Sequence, residues 1–123
     1  MRGREFLPVA AFLEELDTEA SLRTQISRYY YVAYLESRAW CEQNLGYRRM
    51  RTSAEHAEIP RRLRAVDPDL TASLAFLRTL RNTADYDTDV SHETVALQFL
   101  DAQLRTAAII ARLDDLAAPG ADS

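Results

Sequence analysis

The chain has 123 residues, enough for one domain with its own core, and its 47% hydrophobic and 28% charged residues are an ordinary globular balance. A formal net charge of −4 argues against a protein that coats nucleic acid, and a lone cysteine, Cys41, excludes an internal disulfide and fits a reducing cytoplasm. The sequence contains no window approaching the ~18 apolar residues of a membrane span, no signal-peptide core, no zinc-type Cys/His spacing and no Gly-rich phosphate loop. A cytoplasmic protein with no cofactor, no metal site and no membrane contact is expected.

Helical period dominates throughout, and no segment alternates convincingly as a strand. A short first helix is expected from about Glu5 to Leu16, with Pro8 tolerated in its opening turn. A long second helix follows from about Thr18 to Asn44. Leu22, Ile26, Tyr29, Ala33, Ser37 and Trp40 share one stripe of it, widened by Tyr30, Tyr34, Cys41 and Leu45, as suits a central member of a bundle. Gly46 supplies a left-handed terminator. At helical spacing Tyr30 and Tyr34 read as core, whereas Tyr31 points off the stripe.

The connection from Gly46 to Arg64 is rich in arginine: Arg48, Arg49, Arg51, Arg61, Arg62 and Arg64 stand against only Glu55 and Glu58, and the chain has no lysine. A solvated surface and a phosphate-facing patch fit this bias equally well. Within it, Thr52-Ser53-Ala54-Glu55 has the form of a capping box, and Pro60 interrupts or restarts the helix. His56 fits a packing or capping role there, and Cys41 that of a small core residue.

Asp67-Pro68 is an N-cap followed by proline at the first helical position, opening a third main helix that should fray near Asp85 or Tyr86. Leu70, Leu74, Leu77 and Ala84 form a narrow apolar stripe, and Arg81 falls in its middle with Asp85 one turn later. Desolvating a guanidinium costs several kcal/mol unless it is paired. The pair is therefore intrahelical glue, part of a functional cleft, or both, if Asp85 positions Arg81 for a ligand. Ser91 caps a last helix from roughly His92 to Leu116, and His92 should be exposed. Val95, Phe99, Ala102, Ile109 and Leu113 make one apolar stripe; Leu97, Leu100, Leu104 and Ala108 make a second, nearly opposite, which is either buried or shared with another subunit. The expected fold is all-α, an antiparallel four- to five-helix bundle forming one domain over 1–123.

The stretch Leu77-Arg78-Thr79-Leu80-Arg81-Asn82-Thr83-Ala84-Asp85-Tyr86-Asp87 resembles the Arg-Asn-x-Ala-Asp-Tyr signature of HEPN-domain proteins, small prokaryotic helical bundles of toxin–antitoxin and antiviral defence systems. Ser27-Arg28-Tyr29-Tyr30-Tyr31-Val32-Ala33-Tyr34 is similar to the family's Ser-Arg-x-Tyr-Tyr-x-x-Phe run, and His56 resembles a histidine that recurs before the third main helix of related bundles. The resemblance covers about residues 18 to 115. It implies an RNA-directed protein, often a homodimeric, metal-independent ribonuclease whose two motifs meet in one cleft. The family's usual motif is arginine, then four to six residues, then histidine; counted from Arg81 the histidine would fall at Tyr86, Asp87 or Thr88, and none is histidine.

The resemblance makes Arg81, Asp85 and Tyr86 the candidate catalytic residues, with Asn82, Arg78 and Arg28 as substrate-binding candidates. Metal-free RNA cleavage needs the 2′-hydroxyl deprotonated, the leaving oxygen protonated and the phosphorane charge stabilised. Arg81 fits the last task as a phosphate clamp, Asn82 orients the phosphate or holds Arg81, and Tyr86 is a weak proton donor or a plug at the bundle's end. The alternatives are a non-catalytic RNA- or nucleotide-binding module and an adaptor bundle. The adaptor would pair with a cognate antitoxin, a nucleotidyltransferase or another defence subunit. Some related toxins carry a tyrosine near this motif that a partner nucleotidyltransferase modifies.

Overall fold

The computed structural model describes residues 2–9 and 18–117, and among them it is all-helical. A 3-10 turn, Gly3–Phe6, precedes four α-helices: α1 (Glu19–Asn44), α2 (Glu55–Arg64), α3 (Pro68–Tyr86) and α4 (His92–Leu116). Residues 10–16 of the expected first helix lie outside the described residues. The termini of the long helices fall where the sequence placed them. Thr18 accepts from the Ser21 N–H, Asp67 from those of Asp69 and Leu70, and Ser91 from that of Thr94. Gly46 has φ of 66°, the left-handed conformation that lets the chain turn away after α1.

Cross-helix contacts fix the directions. Arg23, Ser27 and Tyr31, climbing α1, meet Ala84, Asp85 and Arg81, descending α3, so these two helices are antiparallel. Glu19 approaches His92, and the Tyr29 carbonyl accepts from the Thr106 hydroxyl, so α1 and α4 run the same way. α1 is the central element, touching every other one. Its Ile26, Tyr29, Tyr30 and Ala33 pack with Ile59 and Leu63 of α2, Leu70, Leu74, Leu77 and Leu80 of α3, and Val95, Phe99, Ala102 and Ile109 of α4. This is the helical bundle expected from the periodicity, with one stripe of α4 inward. The second stripe stays out: Leu97 is 69% exposed and Leu104 71%, with Leu100 between them. No helix among the described residues is long and apolar enough to cross a membrane.

Two buried carboxylates tie the connections to this core. Glu36 receives Arg2 and Arg4, which hold the N-terminal turn against α1. Gly3 is required there, because a Cβ would sit 2.6 Å from the Val32 carbonyl oxygen. Glu55 overturns the capping-box expectation. The N-cap of α2 is Ala54, which offers no side-chain acceptor, and Glu55 turns inward to only 2% exposure. It accepts from the hydroxyls of Tyr34 and Tyr47, from Arg38 Nη1 at 3.1 Å and from the Met50 N–H at 2.7 Å. One side chain thereby anchors the whole arginine-rich connection to α1. Three of its six arginines form surface ion pairs, Arg49 with Glu42 and Arg61 and Arg62 with Glu58, and Arg62 also lies over the Tyr47 ring.

Burial alone would push the Glu55 carboxyl up, but the donors from Tyr34, Arg38, Tyr47 and Met50 outweigh it and hold the group at about 2. A folded-state pKa below the unfolded one stabilises the protein above the unfolded value, and that contribution drains away as pH falls through the folded value. Glu55→Gln should therefore cost roughly 1.5–3 kcal/mol near neutrality. In chemical denaturation the gap to wild type should narrow as pH falls from 4.5 toward about 2. A gap that stays constant over this window would contradict the assignment.

Candidate functional site: an arginine clamp beside an α2–α3 groove

The local sequence of α3 decides which side chains converge. Leu70, Leu74, Leu77 and Ala84 are buried, and the helical step turns Arg81 toward α1 within the same stripe. Its side chain is 19% exposed. Nη2 donates to the Tyr31 hydroxyl at 2.8 Å, and Nη1 donates to Asn82 Oδ1 at 3.1 Å. Nε lies 3.2 Å from Asp85 Oδ2, close enough for an ion pair but out of line for a hydrogen bond, and it has no other partner. Asp85 also accepts from the Ser27 hydroxyl at 3.4 Å. The guanidinium lies 5.3 Å from the Tyr31 ring centroid and 5.8 Å from that of Tyr30. Each terminal nitrogen has thus committed one of its two N–H groups, leaving one apiece.

One step round α3, Arg78, Thr79 and Asn82 face a groove of about 340 Å³, closed on the other sides by Tyr30 of α1 and by His56 and Pro60 of α2. Arg78 is exposed and pairs with no side chain among the described residues. Asn82 belongs to both features, bonded to Arg81 and lining the groove. His56 does not cap its helix. Its ring stacks on Tyr34, with centroids 4.4 Å apart and planes 18° from parallel, and Nδ1 lies 2.6 Å from the Tyr30 hydroxyl. Burial, Arg78 and Arg81 together hold its pKa below the ordinary value; Arg38 adds to this and Glu55 opposes it. Burial also raises the Tyr30 phenol to about 12, so it stays protonated against the opposing pull of Arg78 and Arg81.

Of the residues singled out from sequence, Arg81, Asn82 and Asp85 come together as one cluster, and Arg78 adjoins it on the groove. Tyr86 does not join them. At 77% exposure on the last turn of α3 it neither plugs the bundle nor reaches Arg81. Arg28 is exposed and makes no hydrogen bond, ion pair or ring contact with the cluster. Tyr31 is only partly buried, as its off-stripe position implied, and is a partner of Arg81. His92 is exposed near Glu19, and Cys41 is buried with its thiol pushed up to about 11 by burial.

Arg23 was not singled out, yet its Nη1 donates to the carbonyls of Thr83, Ala84 and Asp87 and its Nη2 to that of Val90. Thr83, Ala84 and Asp87 lie at the C-terminal end of α3 and Val90 in the turn beyond it, so Arg23 both caps the helix and fixes the turn into α4. The four-residue spacing Arg23–Ser27–Tyr31 was the available signal, since it puts all three on one face of α1. Among the described residues no group of three or more His, Cys, Asp or Glu is placed to hold a metal ion. Comparison with protein-family models, with curated proteins and with solved structures finds no match for the chain.

Site electrostatics give a direct readout. In an NMR titration His56 should ionise below the ordinary ~6.5 of an unperturbed imidazole. Arg78→Ala should move that midpoint upward by removing one of the cations acting on it. A midpoint at or above ~6.5, or one indifferent to the substitution, would contradict this geometry.

Proposed function

We propose that this chain is an RNA-directed, HEPN-like domain that engages the phosphodiester backbone at the α2–α3 groove and cleaves it without metal through 2′-hydroxyl attack. The observation that carries this reading is the Arg81 guanidinium, braced on three sides by Tyr31, Asn82 and Asp85 with one N–H left on each terminal nitrogen. Such an arrangement suits two oxygens of a phosphate, since arginine's planar fork is preorganised for bidentate contact. Arg78 adds a second guanidinium on the groove, without an ion-pair partner among the described residues, and Asn82 joins the two. A cytoplasmic setting in toxin–antitoxin or antiviral defence accompanies the resemblance to HEPN proteins.

The non-catalytic alternative, an RNA- or nucleotide-binding module or an adaptor for a nucleotidyltransferase or cognate antitoxin, has its own support. Tyr86, at the motif position where the family's histidine can stand, faces solvent away from Arg81. That exposure leaves its hydroxyl open to a modifying partner. The stripe of Leu97, Leu100 and Leu104, apolar and exposed among the described residues, suits a homodimer or another subunit.

The reading is tested with short single-stranded RNA in EDTA. Binding should weaken steeply as salt rises. Arg78→Ala and Arg81→Ala should each weaken it by roughly 10- to 100-fold and lower the salt slope by about one counterion. Cleavage should leave a 2′,3′-cyclic phosphate and a 5′-hydroxyl, and should vanish with Arg81→Ala while the helical signal persists. RNA binding and cleavage that are both indifferent to these substitutions would contradict the site.

A further inference from the structure

The motif slot beyond Arg81 holds no imidazole, yet one lines the groove from the other side. His56 enters from the first turn of α2, across from Arg78 and Asn82 of α3. Nδ1 is fixed by the Tyr30 hydroxyl and the ring plane by stacking on Tyr34, while among the described residues Nε2 makes no hydrogen bond and is not sealed from solvent. An imidazole clamped at one nitrogen and open at the other is the arrangement that proton transfer requires. We infer that His56 is the general base of this groove, supplying from α2 the imidazole missing from the α3 motif, and that Tyr30 is its positioning residue. The inference rests on the RNA-directed reading above.

Tyr30 suits that role in both protonation states. With Nδ1–H donating to the phenol oxygen, Nε2 presents its lone pair to the groove. After Nε2 takes a proton, the imidazolium keeps the same Nδ1–H bond. The clamp therefore need not rearrange during transfer. The charges around the ring also favour a base. Arg38 of α1 and Arg78 and Arg81 of α3 disfavour the imidazolium, Glu55 of α2 favours it, and the phenols of Tyr30 and Tyr34 stay neutral. A bound phosphate offsets Arg78 and Arg81, raising the proton affinity of His56 as the substrate arrives.

The chemical step balances with water alone. The 2′-hydroxyl proton passes to His56 Nε2, the 2′-oxygen bonds to phosphorus, and the bond from phosphorus to the 5′-oxygen breaks. The leaving 5′-oxygen takes a proton from water, and His56 returns its own to solvent. The products are a 2′,3′-cyclic phosphate and a 5′-hydroxyl.

The test compares wild type with His56→Asn, whose amide nitrogen can still donate to Tyr30 from near the Nδ1 position, on a short single-stranded oligoribonucleotide in EDTA. Affinity should stay within about 2-fold while the cleavage rate falls ~100-fold or more. The rising acid limb of the wild-type pH–rate profile should match the NMR midpoint of His56 and be absent from the variant, and Tyr30→Phe should displace that limb. A readout independent of folding variants is the His56 midpoint in wild type, which should rise when a 2′-O-methyl oligonucleotide is added. Wild-type cleavage rates in His56→Asn, or a midpoint unmoved by the bound oligonucleotide, would overturn the role of His56 and leave the RNA-directed reading standing. Binding that depends on Arg78 and Arg81 without any cleavage by wild type would do the same. If wild type neither binds nor cleaves RNA, the RNA-directed reading itself fails, and this inference with it.

Discussion

An ionised guanidinium set between two packed helices needs acceptors for its N–H groups, since each desolvated donor left alone costs free energy. Arg81 finds three neighbours of different chemistry: a phenol on α1, an amide next to it in sequence, and a carboxylate one turn on. None of the three uses it up. Asp85 divides its attention between Arg81 and Ser27, Tyr31 contributes a single oxygen, and Nε sits out of line with its counter-ion. A purely structural buried pair would gain from fuller satisfaction, because a half-satisfied network stabilises less than apolar packing. The spare donors and the neighbouring groove are what support the chemical use proposed for this cluster beyond holding α1 to α3.

The rest of the polar interior acts as bracing for that position. Arg23 gathers the terminal carbonyls of α3 and sets how far the helix runs before turning toward α4, which fixes the ends of the Arg81–Asp85 pair. Glu55, one residue before His56, is locked by Tyr34, Tyr47, Arg38 and the Met50 amide. The first turn of α2 is consequently pinned to α1, and the imidazole is delivered to the groove at a set height. Helices α1, α2 and α3 thus meet at the groove of about 340 Å³, bordered by Arg78, Asn82, His56 and Tyr30.

Much of this architecture was legible from periodicity and caps. The ends of α1, α3 and α4 follow from Thr18, Gly46, Asp67-Pro68 and Ser91, whose effects are local. The inward turn of Arg81 was also legible, because one charged residue in a leucine stripe has a single direction to face. What could not be read was which long-range partner a polar side chain chooses. Thr52-Ser53-Ala54-Glu55 fits a capping box, yet two tyrosines and an arginine distant in sequence offer Glu55 a stronger set of donors than its own helix end. Arg23 was not singled out because its acceptors come together only where the end of α3 lies beside it. His56 fits a packing role equally well until α3 supplies Arg78 and Asn82 across the groove. Tyr86 shows the reverse failure, since a motif position did not guarantee convergence.

The account stands on the Arg81 guanidinium being held in place with donors to spare, and NMR of the arginine Nε–H signals reads this directly. Because the chain has no lysine, every side chain that is cationic at all working pH values is an arginine. The Arg81 signal, assigned by its loss in Arg81→Ala, should stand apart from the exposed arginines and exchange slowly with water. It should shift when a 2′-O-methyl oligonucleotide is added. An Arg81 signal that merges with the exposed arginines, exchanges as fast as they do and ignores the oligonucleotide would contradict the account.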